Sequence, residues 1–195
     1  MKTQFQLSSV LGISLLLLNA SLSVSAPKTV SRLGEFDVNF LKAVDQSNNS
    51  ECAYVPTVMK RASSAQVKQF AQQMLRDHTQ ANKELAKLAA SKRVKLSHDV
   101  PDEEQAVIDR LGQERGSKFD AAYQNEMVRD HTEDINDMER EISLGTDPQV
   151  KAYATKYLPI LKHHLQMAQE LKVAGGKVGT SGSKMTMPKD MPMAH

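Results

Sequence analysis

A hexapeptide occurs twice in the chain. Met74-Leu75-Arg76-Asp77-His78-Thr79 returns as Met127-Val128-Arg129-Asp130-His131-Thr132. In each copy Met and His stand four apart, so on a helix they stack on one face. A third histidine, His164, and a carboxylate, Glu51, fall on apolar rows of their own. Three imidazoles and a carboxylate suit a first-row transition metal, and Met74 and Met127 add a softness that favours copper. The same residues also fit a purely structural layer, in which neutral histidines hydrogen-bond one another, Glu51 or water, as buried polar groups must. Asp77 and Asp130 sit about 100° round the helix from the histidines they precede. They are supporting residues that either reach a neighbouring helix or, as position alone favours, meet solvent. No Ser-His-Asp or Cys-His pairing and no glycine-rich phosphate loop is identifiable. No catalytic residue is therefore assigned, and the chain reads as a binding protein before it reads as an enzyme.

A second set of soft ligands closes the chain. Met185, Met187, Met191, Met193 and His195 follow a Gly179–Ser183 linker that is flexible by composition. Pro188 and Pro192 forbid a regular helix there. Clustered thioethers favour Cu(I), and His195 adds an imidazole. The plainer reading is a disordered extension too polar and short to bury a core.

Four long helical patterns must position the inner set. Phe40, Val44, Glu51, Val55, Val58 and Ala62 recur at helical intervals. Pro56 is expected to kink or interrupt this first helix, and the polar run Ser47-Asn48-Asn49-Ser50 to weaken it. Ser63 and Ser64 are good N-caps for the second, whose stripe is Val67, Phe70, Met74, His78, Ala81, Leu85 and Leu88. A short acidic-start helix, Asp102 to Leu111, precedes a glycine break at Gly112 and Gly116. The third long stripe is Phe119, Tyr123, Met127, His131, Ile135, Met138 and Ile142, with Gly145 as its C-terminal cap. The fourth carries Val150, Ala154, Tyr157, Leu161, His164, Ala168 and Leu171, with a bend expected at Pro159.

Amphipathic helices of this length predict an all-α, antiparallel four-helix bundle over 35–174, with the extra short helix between its second and third long helices. In an up-down arrangement Glu51 and His78 match in height at a rise of roughly 1.5 Å per residue, while His131 and His164 are offset by roughly 7 Å unless Pro159 corrects it. The four then form one polar layer.

The remaining segments concern export. Lys2 and the apolar run Val10 to Leu18, too short to span a bilayer, read as a secretory signal over 1–25, followed by an arm over 26–34. A cut after Ser25 is preferred, because Pro27 disfavours one after Ala26. The product is expected in the periplasm or associated with an outer membrane, without a transmembrane segment. The formal charge is +2; Lys2 accounts for one positive charge, and Lys177, Lys184 and Lys189 against Asp190 for two more, which leaves the body at about −1. That is no footprint for nucleic acid. The single cysteine, Cys52, cannot form an intrachain disulfide and reads as a small buried hydrophobe.

Taken together, several residues resemble a family. They are Glu51, Val67-Lys68-Gln69-Phe70-Ala71 leading to Met74, Asp77 and His78, then Phe119-Asp120 and Tyr123 before Met127, Asp130 and His131, then Leu158-Pro159 and Leu161 before His164. From about Phe40 to Leu171 the chain is similar to a domain-of-unknown-function family of exported bacterial proteins with a ferritin-like fold, whose members are often labelled outer-membrane or periplasmic. The resemblance implies the ferritin-like bundle and export, and supplies no reaction. Ala53 stands where the pattern has a second acidic residue. A di-iron site wants a Glu from each of two helices and Glu-x-x-His from the other two. Leu75, Val128 and Leu161 precede the histidines by three, so that site is not expected. The resulting expectation is a non-enzymatic exported protein with a transition-metal or envelope-stress role. An envelope interaction module with structural histidines and a protein partner is the alternative, and a metal-dependent redox enzyme comes third.

Overall fold

The computed structural model describes residues 33–173. Five helices and no strand occur among them: α1 (Glu35–Arg61), α2 (Ala65–Ser91), α3 (Asp102–Leu111), α4 (Gly116–Leu144) and α5 (Pro148–Glu170). The long helices pack as α1 on α2 and α4 on α5, and the two pairs meet through α1 on α4 and α2 on α5. No helix among the described residues is long and apolar enough to cross a membrane.

The helix directions follow from contacts at the ends. At one end Asp37 near the start of α1 accepts from Thr146 N (2.9 Å), Thr146 Oγ1 (2.6 Å) and Asp147 N (3.2 Å) in the α4–α5 turn. At the other, Asp120 near the start of α4 accepts from Ser63 N (3.1 Å), Ser63 Oγ (2.5 Å) and Ser64 N (3.0 Å) in the α1–α2 turn. Each pair thus closes the other's turn. Lys92 after α2 reaches Asp147 before α5 (2.5 Å), and Lys172 N after α5 donates to Gln66 Oε1 (3.2 Å). Neighbouring long helices therefore run antiparallel, while α2 and α4 run the same way. The chain between them must cross the molecule lengthwise, and α3 lies on that crossing. His98 N meets Asp45 (2.8 Å), and farther along α1 the Tyr54 hydroxyl donates to Glu104 (3.1 Å).

Local chemistry sets the boundaries. The Ser64 hydroxyl accepts from Val67 N (3.4 Å) at the start of α2, and Asp147 caps α5 through Gln149 N and Val150 N (2.9 and 3.2 Å), with Pro148 at the first helical position. Gly145 ends α4, but not through a left-handed backbone, since its φ is −57°. It is small because a Cβ there would lie 2.1 Å from Glu141 Oε1. Burial pushes the Glu141 carboxyl up to about 7, helped by the neighbouring Asp37 carboxylate. Burial would raise Asp37 too, yet the bonds from Thr146 and Asp147 bring it below the usual range.

Two expectations for α1 are corrected. The helix runs through Pro56 without a break, because the ring is on the exposed face and Tyr54, Val55 and Val58 pack around it in the core. The polar run does not weaken it either. Ser50 Oγ bonds Gln46 O (2.9 Å), Ser47 Oγ bonds Asp134 (2.8 Å), and Asn49 accepts from Asn82 (2.8 Å). The polar side chains are seams to α2 and α4. Cys52 is only half-buried, with Sγ 3.8 Å from Thr79 Oγ1.

The core is divided lengthwise. One apolar cluster holds Tyr54, Phe70, Met74, Phe119, Tyr123, Met127 and Ala168. The other holds Val44, Ala81, Leu85, Ile135, Met138 and Leu161. On every long helix the residues between these clusters include a buried polar one: Asn48 and Glu51, His78, His131, and His164.

Candidate metal centre

α2, α4 and α5 each give one histidine to this layer and α1 gives Asn48 and Glu51, because each helix has polar residues among its buried ones. His78, His131 and His164 are buried and offer one ring nitrogen apiece, all within 4.8 Å of one another. Their ring centroids are 5.4 to 5.8 Å apart. The 7 Å offset expected between His131 and His164 does not occur, and α5 is continuous through the exposed Pro159.

Every ring is held by one nitrogen. Asn48 Oδ1 accepts from His78 Nδ1 (2.8 Å), the main-chain carbonyl of Met127 from His131 Nδ1 (2.9 Å), and the Asp77 carboxylate from His164 Nε2 (2.9 Å). The other nitrogens, His78 Nε2, His131 Nε2 and His164 Nδ1, are buried and have no protein partner. Burial holds His78 well below the usual histidine range, with the charges of His164 and His131 adding to the effect. Burial and then His164 push His131 down to about 3, against the opposing bond to Met127. His78 and His131 are thus neutral at pH 7, each with a free lone pair. Asp77 is below the usual carboxylate range: burial opposes this, and the bonds from His164 and Gln73 outweigh it.

Glu51 takes the fourth corner of the layer without joining the trio. Its Oε1 is 3.7 Å from His131 Nδ1, and neither carboxylate oxygen has a partner. Burial, then the charges of Asp130, Asp134, Glu104 and Glu126, raise it well above the ordinary range. Met74 and Met127 are fully buried in the neighbouring apolar cluster. The reading of Asp77 as solvated is corrected, since it orients His164 across two helices. Asp130 does not support His131. It pairs with Arg129 (2.7 Å), which also contacts Glu126, Glu133 (3.1 Å) and Glu104 (3.7 Å). Burial pushes Asp130 up to about 8, with Glu126, Glu104 and Asp134 outweighing Arg129. Met185, Met187, Met191, Met193 and His195 lie outside the described residues.

Two features were missed in the sequence. Asn48 orients His78, and its spacing of three from Glu51 on one helical face was the available signal. Glu104, Glu126 and Asp130 bring three carboxylates within 4.8 Å. Nothing local signals that group, because α3 and α4 contribute its members separately.

The signature of a domain of unknown function, DUF4142, matches residues 22–171. The chain belongs to the DUF4142 family. The histidine trio, Glu51, Asn48 and Asp77 all lie inside the DUF4142 region. A crystal structure of a DUF305 fragment from Deinococcus radiodurans is similar to this DUF4142 chain in fold, with a TM-score of 0.63 at 10% identity over 70% of this chain and 95% of that one. No curated protein is similar enough to count as a match.

Proposed function

We propose that this is an exported, periplasmic protein whose ferritin-like four-helix bundle holds one first-row transition-metal ion on His78, His131 and His164. The supporting observation is the direction of the hydrogen bonds. Each imidazole is fixed through one nitrogen by a backbone carbonyl, an amide or a carboxylate, the arrangement that orients metal-bound histidine. A buried polar atom left unpaired costs about 1–3 kcal/mol. Three such nitrogens on rings packed against one another are therefore an expensive structural layer and an inexpensive ligand set. An ion about 2.0–2.1 Å from each nitrogen would draw them to about 3.4 Å apart, a small closure from their present spacing. An all-imidazole set binds Cu(II) most tightly of the divalent first-row ions, so copper is the first candidate. Glu51, 3.7 Å from His131, would balance the ion's charge on giving up its proton. The leader-like N-terminus supports export, and the methionine tail supports a second, soft-metal role in envelope metal stress.

The envelope interaction module has less support. Among the described residues the exposed large hydrophobics are Met59, Leu75 and Leu144, on three different helices. The test is metal content and affinity of the full chain, a chain ending at Gly176, and His78/His131/His164→Ala. One copper lost in the triple variant and kept on truncation is the expected result. Asp77→Asn, which retains the fold, should weaken binding by about 10- to 100-fold. Equal metal content in all variants would reject the core site.

A further inference from the structure

The trio is not enclosed on all sides. Between α2 and α5 it borders a cavity of about 10 Å³, lined by His78, His164, Asn48, Ala81 and Tyr153, with Asp77 at its edge. That volume is on the order of one water. Four residues around it carry buried polar atoms without a partner: His78 Nε2, His164 Nδ1, Asn48 Nδ2 and the Tyr157 hydroxyl. Two of these are the candidate ligand nitrogens, and the other two are donors. Tyr153 is tethered by its hydroxyl to Ala81 O (3.4 Å), which keeps that wall in place. The Asp77 side chain is 27% exposed, so the seam between α2 and α5 meets solvent there.

We infer that the metal site keeps one exchangeable coordination position on its α2–α5 side, and that this position takes a water-sized, hydrogen-bond-accepting ligand. The inference rests on the three-histidine reading above. Three protein ligands leave a four-coordinate ion one open position. Here His131 and the Glu51 side of the layer back onto packed core, and the cavity lies beside His78 and His164. Asn48 performs two tasks. Its carbonyl oxygen orients His78, and its amide nitrogen is an unpartnered buried donor on a residue that lines the cavity. A donor in that place selects a small acceptor such as water, hydroxide or fluoride. The volume disfavours a triatomic anion. Ala81 sets the size, because it lines the cavity and a larger side chain there would occupy the space.

The full chain is loaded with Cu(II) and examined by electron paramagnetic resonance. Coupling to three nitrogens establishes the trio, independently of the cavity. Fluoride is then added, and separately azide. The expected result is an additional splitting from the fluorine nucleus, with azide binding at least about 100-fold more weakly. Ala81→Leu should retain copper affinity within about threefold and lose the fluorine splitting. A three-nitrogen signal indifferent to fluoride, or azide bound as well as fluoride, overturns the inference and leaves the metal site standing. Absence of the three-nitrogen signal rejects the site itself.

Discussion

Asp120 and Glu51 are carboxylates buried to the same degree, each 2% exposed. Asp120 sits at an end of the molecule, where two main-chain N–H groups and a hydroxyl converge on it. Glu51 sits in the middle, where no donor reaches either of its oxygens. The same chemical group is thus satisfied in one region and stranded in the other. A satisfied buried carboxylate joins elements, whereas a stranded one lowers stability unless something charged or protonated accompanies it. The ends of the fold are tied by satisfied carboxylates, and its middle holds buried polar groups without partners.

That contrast breaks if both carboxylates respond alike to removal. Asp120→Ala leaves the Ser63 and Ser64 donors unpaired and should cost about 3 kcal/mol, read as a lower urea midpoint at unchanged m-value. Glu51→Met should act in the opposite direction. It replaces an unpartnered acid by an apolar chain of similar length, and the metal-free protein should gain about 1–3 kcal/mol at pH 7. A loss of similar size would show that Glu51 is held by partners after all.

The histidines sharpen the same contrast through pH. His131 titrates at about 3 when folded and near 6.5 when unfolded. Between those values only the unfolded chain binds the extra proton. The stability this neutral histidine preserves is complete above pH 6.5 and is lost as pH falls towards 3, at up to about 1.4 kcal/mol per pH unit. Glu51 works the other way: its raised pKa favours the fold at low pH, and that contribution is lost as pH rises above 4.5. The readout is therefore the difference between wild type and His131→Phe, measured without metal by urea unfolding from pH 7 to pH 4. The stability lost on going from pH 7 to pH 4 should be smaller in the variant than in wild type.

Much of this was legible in the sequence. Helical periodicity marked the five helices, and a histidine inside an apolar stripe was enough to place it in the core. The same signal could not show which way His164 faces its neighbours, so Asp77 passed for a solvated residue. Propensity misjudged Asn48 and Pro56, since a polar residue in α1 is costly only without a partner and a proline only where its missing N–H or its ring matters inside. The up-down arrangement expected for short connections was also incomplete. The crossing between α2 and α4 is set by which turn Asp120 and Asp37 reach, a relation between residues far apart in the chain.

Those two aspartates have a consequence for how the molecule comes apart. Asp37 belongs to the α1–α2 hairpin and closes the turn of α4–α5; Asp120 belongs to α4–α5 and closes the turn of α1–α2. Neither hairpin can fray at its own turn without uncovering a buried carboxylate in the other. The exchange ties two halves that could have been separate folding units into one cooperative unit.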